Sequence, residues 1–420
     1  MALPRSRLSR NVALAFVCAL ASLTSAAAEP PEAASFYLRD GDRVVFYGDS
    51  ITEQAHYTRP IELYVRTRLP DLKMSFVNSG WGGDRAWGGD GGMLEERLKR
   101  DVVAHKPTVV TVMLGMNDGY YTDFSDDGLS AFKERIETLI ATLERELPGV
   151  RITLIGSSPY DNVTPGEQPE WERKIVGGYN GVVARYAAGM RDVAERHKLA
   201  FVDMNQPLVD AIQEVQAADA TLAREMIPDR IHPGPAAGLL MAAQLLDAWH
   251  APQREHVTQV NAAGAESAVM KVRQALPLPY PVDRSDPLTK KLVELAPAMS
   301  VFAGDTLRVD WLKTPRGLVE IDGDRLGSFS RDELAAGIDL APPGSPLAER
   351  AREIAELVDV HDRLQFARWR RVELANKEQK ASDSRPLRDE LTALENRLDE
   401  LTNAAAGLTP HSIGITGVSE

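Results

Sequence analysis

The stretch VVFYGDSITEQ, residues 44–54, runs an apolar segment straight into Gly48, Asp49 and Ser50. A hydroxyl leaving a strand this abruptly stands at the rim of a sheet, where open α/β folds bind their ligands, and it becomes a nucleophile when a base lies within reach. Asp229 and His232, three apart in IPDRIHPGPAAG, residues 227–238, can supply that base. In a turn this spacing lets the carboxylate hold one ring nitrogen while the other faces a hydroxyl, which fixes the tautomer and stabilises the imidazolium formed on proton transfer. Two further blocks suit the electrophilic side of such chemistry. NSGWGGDRAWGGDGG, residues 78–92, carries seven glycines that let backbone N–H groups approach a ligand. LGMND, residues 114–118, places the Asn117 amide where it can donate to charge developing on a reacting oxygen, with Asp118 bracing the loop. Each block alone has a plainer reading as a turn or irregular loop, and His56 and the remaining histidines read as surface residues. Together they supply nucleophile, base, orienting acid and oxyanion donors, the parts for acyl transfer.

The order and spacing of the four blocks resemble the SGNH hydrolase family, also known as GDSL-like esterases and lipases, over residues 43–249. Carried over by motif, the resemblance implies Ser50 as nucleophile, His232 as base and Asp229 as the acid that orients it. It also implies an oxyanion hole from the backbone N–H groups of Ser50 and Gly83 and the side chain of Asn117. Gly83 is the glycine preceding Asp84; Gly80 and Gly82 leave that assignment open by a few residues. Pro233 and Gly234 follow the histidine where the family more often has a polar residue. The activity implied is hydrolysis of short acyl, chiefly acetyl, esters through an acyl-enzyme, with no cofactor and no metal.

Trp81, Trp87 and Tyr120 flank the expected rim, beside Tyr121, and can stack on a sugar ring, which makes a carbohydrate ester the expected substrate. Packing beneath the glycine-rich loop is the alternative role for these rings. Rival functions are weaker on residue grounds. The G-x-S-x-G elbow of α/β-hydrolases occurs nowhere. A metallophosphoesterase built on Asp49, Asp84, Asp118, Asp229 and His232 has a single histidine where such centres usually have more. A true lipase lacks a long apolar surface helix. A carbohydrate-binding or scaffold protein retaining the constellation without catalysis is the non-enzymatic alternative, separated by whether Ser50 reacts with a fluorophosphonate.

The elements that must position these residues alternate. Apolar, β-branched runs at 43–47, 74–78, 108–114, 151–157 and 199–203 are separated by helical spacing at 61–69, 93–105, 129–147 and 171–197, and a last helix is expected at 235–249. The expected fold is a three-layer α/β/α sandwich with a five-stranded parallel sheet, the flavodoxin-like arrangement of SGNH hydrolases, in a catalytic domain at 36–250. Residues 251–345 lose the alternation and carry a tight-turn signal at Asp322 and Gly323, which reads as a small β-rich module. Residues 346–420 read as a helical hairpin and a C-terminal segment, with Leu387, Leu391, Leu394, Leu398 and Leu401 as a short seam.

Residues 1–28 read as a signal peptide: a basic start, an apolar core and small residues before Glu29. An exported, periplasmic or extracellular, protein is therefore expected. Its removal takes the only cysteine, Cys18, so disulfides and thiolate chemistry are excluded for the remainder. It also takes three arginines and no acid, moving the formal net charge from -13 to -16, a balance that repels nucleic acid and anionic lipid. No integral membrane span is expected after removal. Oligomeric state is not legible.

Overall fold

The computed structural model describes residues 35–252, 257–260, 269–374 and 385–419. The expected signal peptide at 1–28 lies outside the described residues. Residues 36–420 form one unit.

Its centre is a five-stranded parallel sheet of β1 (Arg43–Gly48), β2 (Ser75–Gly80), β3 (Val109–Leu114), β4 (Arg151–Gly156) and β5 (Ala200–Asp203), in the order β2-β1-β3-β4-β5. All six residues of β3 are buried, which is why the sequence reads as an unbroken apolar run there. Helices cover the sheet: α4 (Asp126–Glu146) and α5 (Tyr179–His197) pack on each other, as do α2 (Thr58–Arg68) and α8 (Pro235–Ala248). Register brings the chemistry together. Gly48 pairs with Gly80 on one side and Met113 on the other, so the exits of β1, β2 and β3 open at the same level. The short helix α1 (Ser50–Glu53) then lies directly on these exits. A Cβ on Gly80 would stand 2.1 Å from the Glu53 nitrogen, and one on Gly48 would stand 2.2 Å from the Thr52 hydroxyl. Glycine at both strand ends is what lets α1 sit so close.

The helix expected over 171–197 is shorter. A single tight turn at Glu172–Lys174 is followed by Gly177 and Gly178 at φ +81° and +76°, and the regular helix begins only at Tyr179. Glycine pairs at positive φ interrupt helical geometry, a local signal that the apolar spacing overrode.

Beyond α8 the chain is more mixed than a purely β module. It contains β6 (Val257–Val260), β7 (Val269–Leu276), α9 (Pro287–Leu295), a tight helical turn at Pro297–Phe302, then β8 (Thr306–Val309), β9 (Arg316–Ile321), β10 (Asp324–Ser330), α10 (Arg331–Ala336) and β11 (Ile338–Asp339). The β9–β10 hairpin turns at Asp322 and Gly323, both at positive φ, as the tight-turn signal requires. Strand β12 (Thr409–Val418), hidden in the expected C-terminal segment, inserts between β9 and β7 and completes a four-stranded sheet. The helical hairpin consists of α11 (Pro346–Phe366), continued by wider turns over Ala367–Leu374, and α12 (Arg385–Ala406). The two run antiparallel: Arg350 bonds the Ala405 carbonyl, and Arg368 pairs with Glu395 at 2.6 Å. Of the leucine seam, Leu398 is buried, whereas Leu387, Leu394 and Leu401 are about half exposed. No helix among the described residues is long and apolar enough to cross a membrane.

Helix α2 anchors both additions. Arg66, buried, pairs with Glu62 at 3.0 Å on its own helix and with Asp399 of α12 at 2.5 Å. Arg68, also buried, holds both oxygens of Asp305 at 2.9 Å, just before β8. Helix α8 is apolar around nearly its whole circumference and is covered by α9 and the Pro297–Phe302 turn. Cutting the chain after His250 would therefore uncover the apolar surface of α8 and take Asp305 from Arg68 and Asp399 from Arg66, which keeps only Glu62. The truncated protein is expected to be insoluble or to melt roughly 10 °C or more below the intact chain; equal melts and soluble yields would show that residues 251–420 add nothing to the stability of the sandwich.

Candidate active site

Asp49 ends β1 and caps α1, accepting from the Ile51 N–H at 3.0 Å, and the next residue, Ser50, opens the helix. On the far side of the site, the segment before α8 turns through Arg230 at φ +71°. There Asp229 accepts three bonds: from the Ile231 N–H at 3.0 Å, the His232 N–H at 2.8 Å and His232 Nδ1 at 2.6 Å. His232 Nε2 lies 2.8 Å from Ser50 Oγ. A carboxylate, an imidazole and a hydroxyl thus stand in line, with the ring tautomer set by Asp229: Nδ1 donates to the acid, so Nε2 accepts from the serine. Burial alone would raise the Asp229 carboxyl, yet the His232 side chain and the two backbone N–H groups outweigh it and hold it below the ordinary value. It therefore stays ionised beside the ring.

The glycine-rich loop after β2 is held from beneath by Arg97, a fully buried residue that closes α3 (Leu94–Arg97). Its guanidinium pairs with Asp84 at 2.9 Å, with Asp101, and with the Ser79 carbonyl at 2.9 Å. Gly83 sits at φ +74° in the turn closed by the Asp84 N–H on the Trp81 carbonyl at 3.1 Å. The N–H groups of Ser50 and Gly83 have no protein acceptor among the described residues. Asn117 lies between them and the floor: its Nδ2 donates to the Asp84 carbonyl at 3.1 Å and reaches Asp49 at only 3.4 Å, and its Oδ1 accepts from the Tyr121 hydroxyl at 3.0 Å. That last bond fixes which way the amide faces. Tyr120 and Tyr121 both adopt positive φ, +52° and +56°, a strained pair with no local signal in their residue types.

Ser50, His232 and Asp229 meet as their types suggested, and Gly83 and Asn117 share the same rim. The three rings differ. Trp87 and Tyr120 stack at 5.3 Å with Arg85 over the Tyr120 face at 4.6 Å, and Tyr120 is 56% exposed. Trp81, half-buried like Trp87, instead has Arg370 over one face at 3.4 Å and Trp369 against it edge-on at 5.7 Å. Two of the carboxylates considered as metal ligands are taken up by protein partners: Asp84 by Arg97 and Asp118 by the Ala86 N–H. Among the described residues, the one trio of candidate ligands is Glu62, His361 and Asp399, and Arg66 already pairs with two of them. Arg85 and Arg97 escaped the sequence reading, and Tyr121, expected only as a ring at the rim, was not foreseen as a hydrogen-bond partner of Asn117. Only Arg97 left a trace there, its four-residue spacing to Asp101.

Three carboxyls crowd the floor. Burial pushes Asp49 up to about 8 and Asp118 up to about 7, reinforced by like charge between them and Asp84. In the unfolded chain such groups ionise near 3.9, so between about pH 4 and 8 the folded state keeps protons that the unfolded state releases. The resulting penalty grows as pH rises through that window and levels off above it. Asp49→Asn should therefore flatten the fall in melting temperature between pH 6 and 9; a variant whose melt falls in parallel with the parent would contradict the neutral-carboxyl assignment.

Comparison with known proteins agrees with this geometry. Residues 46–237 match the model of the GDSL-like lipase/acylhydrolase family. An acetylxylan esterase from Geobacillus stearothermophilus is 23% identical over 224 residues, 49% of this chain and 93% of that protein. The solved structure of BT4096, a gut microbial diltiazem-metabolizing enzyme, is similar over 91% of this chain and 98% of its own, at 24% identity and a TM-score of 0.71, so the likeness in fold includes the C-terminal additions. The crystal structure of Axe2, an acetylxylan esterase from Geobacillus stearothermophilus, covers 51% of this chain at 21% identity and a TM-score of 0.40. Residues 46–237 are thus similar to the GDSL-like lipase/acylhydrolase family, and the chain is a serine ester hydrolase.

Proposed function

We propose that the protein removes short acyl groups, above all acetyl, from carbohydrate esters, with Ser50 as nucleophile, His232 as general base and acid, and Asp229 as the group that orients the ring. The observation that carries this reading is the 2.8 Å contact of Ser50 Oγ with His232 Nε2, backed by Asp229 at 2.6 Å on Nδ1. Ser50 Oγ attacks the ester carbonyl as its proton passes to Nε2. The carbonyl oxygen becomes an oxyanion, met by the N–H groups of Ser50 and Gly83 and the Asn117 amide. The imidazolium, stabilised by ionised Asp229, returns its proton to the departing alcohol oxygen, leaving an acyl-enzyme. Water repeats the sequence: His232 takes its proton, the new C–O bond forms, and the acid leaves as Ser50 regains its hydrogen.

The carbohydrate part rests on the stack of half-buried Trp87 with exposed Tyr120 and on the similarity to an acetylxylan esterase. Export, expected from residues 1–28, suits a polymeric substrate outside the cytoplasm.

Ser50→Ala and His232→Ala should each lower kcat on an aryl acetate by about 10⁴-fold or more with little change in the thermal melt. Full activity in either variant would remove the assignment. Asn117→Ala should cost about 10²–10³ in kcat, the effect of losing one oxyanion donor. On purified protein, acetylated xylooligosaccharides should outrank longer aryl acyl esters in kcat/KM, and Trp87→Ala should raise KM for the sugar substrate while leaving the aryl acetate unaffected. Equal loss on both substrates would end the claim that this stack reads a sugar.

A further inference from the structure

One side chain of the helical hairpin reaches the elements that carry the two backbone oxyanion donors. Arg370, in the wide turns after α11, lies well outside the family-matched segment 46–237. Its guanidinium carbon stands 3.4 Å from the centre of the Trp81 ring, and its Nη1 is 3.0 Å from Glu53 Oε1. Trp81 belongs to the glycine-rich loop, and its backbone ties that loop down: its N–H donates to the Gly48 carbonyl at 2.9 Å, and its carbonyl accepts from the Asp84 N–H. Glu53 is the last residue of α1, the helix that Ser50 begins. Between them lies Gly82, where an added Cβ would stand 3.0 Å from Glu53 Oε2 and 4.0 Å from the Ser50 Cβ. The neighbouring Trp369 is itself secured, its Nε1 donating to Asp101 at 2.8 Å.

We propose that Arg370 is a positioning residue of the oxyanion hole: by stacking on Trp81 and pairing with Glu53, it holds the Gly83 N–H and the Ser50 N–H at a fixed separation. A planar guanidinium suits both tasks at once, since its face covers the indole while its charge lies within ion-pair distance of the Glu53 carboxylate. Arg97 and Arg100 also lie over the Trp81 ring, at 5.3 Å and 5.4 Å, so without Glu53 the third cation would be repelled. The hairpin thereby contributes to transition-state stabilisation without touching substrate. Small displacements of preorganised donors are felt directly in the rate, which is where such a role is read.

This inference rests on the oxyanion assignment proposed above, and the test separates the two. In the full-length protein, Arg370→Ala and Glu53→Gln should each lower kcat on an aryl acetate by roughly 10- to 100-fold, no more than the loss of one whole oxyanion donor, while KM changes less than about twofold. The double variant should be no slower than the worse single variant. Arg370→Lys, which keeps the charge but loses the flat face, should recover part of kcat. The rate of Ser50 labelling by a fluorophosphonate, which also builds negative charge on oxygen, should fall in parallel. Should Arg370→Ala not fold, Glu53→Gln carries the same comparison. If Ser50→Ala is inactive yet the Arg370 and Glu53 variants keep the parent kcat and labelling rate, losing only thermal stability, the residue merely fastens the hairpin and the inference fails alone. If Ser50→Ala retains activity, the oxyanion assignment fails first and takes this inference with it.

Discussion

A guanidinium with no exposure to solvent sits under the reactive rim, and the geometry above it depends on that charge being satisfied. Arg97 meets Asp84 and Asp101 and a backbone carbonyl of β2. Burying three ionised groups is expensive, and only mutual pairing with further hydrogen bonds recovers the desolvation cost. Arrangements that separate them are strongly penalised, which narrows the conformations open to a loop otherwise free to wander because of its seven glycines. Asp84 is the residue after Gly83, so the ion pair places that glycine's amide. Asp101 also accepts from Trp369, so the same charge cluster fastens the hairpin. One buried network thus couples the loop, the helix beneath it and the C-terminal addition.

The family-matched segment and the stable unit are different lengths of chain. Residues 46–237 hold the candidate site, yet α8 and α2 present surfaces that only later residues cover. Arg66 and Arg68, two residues apart on α2, clamp different additions, one the hairpin and the other the mixed module. The likeness to BT4096 across 91% of the chain places the additions within the shared fold rather than outside it.

Much of the sandwich could be read from the residues because the relevant signals are local. Strands buried on both faces read as apolar runs, and the tight turn at Asp322 and Gly323 needs only two neighbours to declare itself. The candidate site follows a related rule: in a parallel sheet functional residues collect at strand exits, so the blocks holding Ser50 and Asn117 could be expected at one rim before any register was known, whereas the choice of Gly83 among its neighbours came only from the family resemblance. What stayed hidden is what depends on partners distant in sequence. Trp81 has the residue type of a sugar platform, and only the fold brings Arg370 and Trp369 against it. Tyr121 becomes meaningful only once its hydroxyl is seen on Asn117. Strand β12 carries three glycine or proline residues that obscure its alternation, and its pairing is decided by strands more than ninety positions away.

That strand has a kinetic side. Thr409 pairs with Leu276 and Ile413 with Ile321, so the central strand of the second sheet is supplied by residues made long after its neighbours. Closing loops of this size is entropically slow, and pairings of high sequence separation dominate the time a chain takes to reach its native state. Until that closure, β7 and β9 each present an open edge, the kind of surface on which nascent chains associate with one another. The order of synthesis therefore leaves the sheet unfinished during the period when the parallel core, with nearer partners, can already assemble.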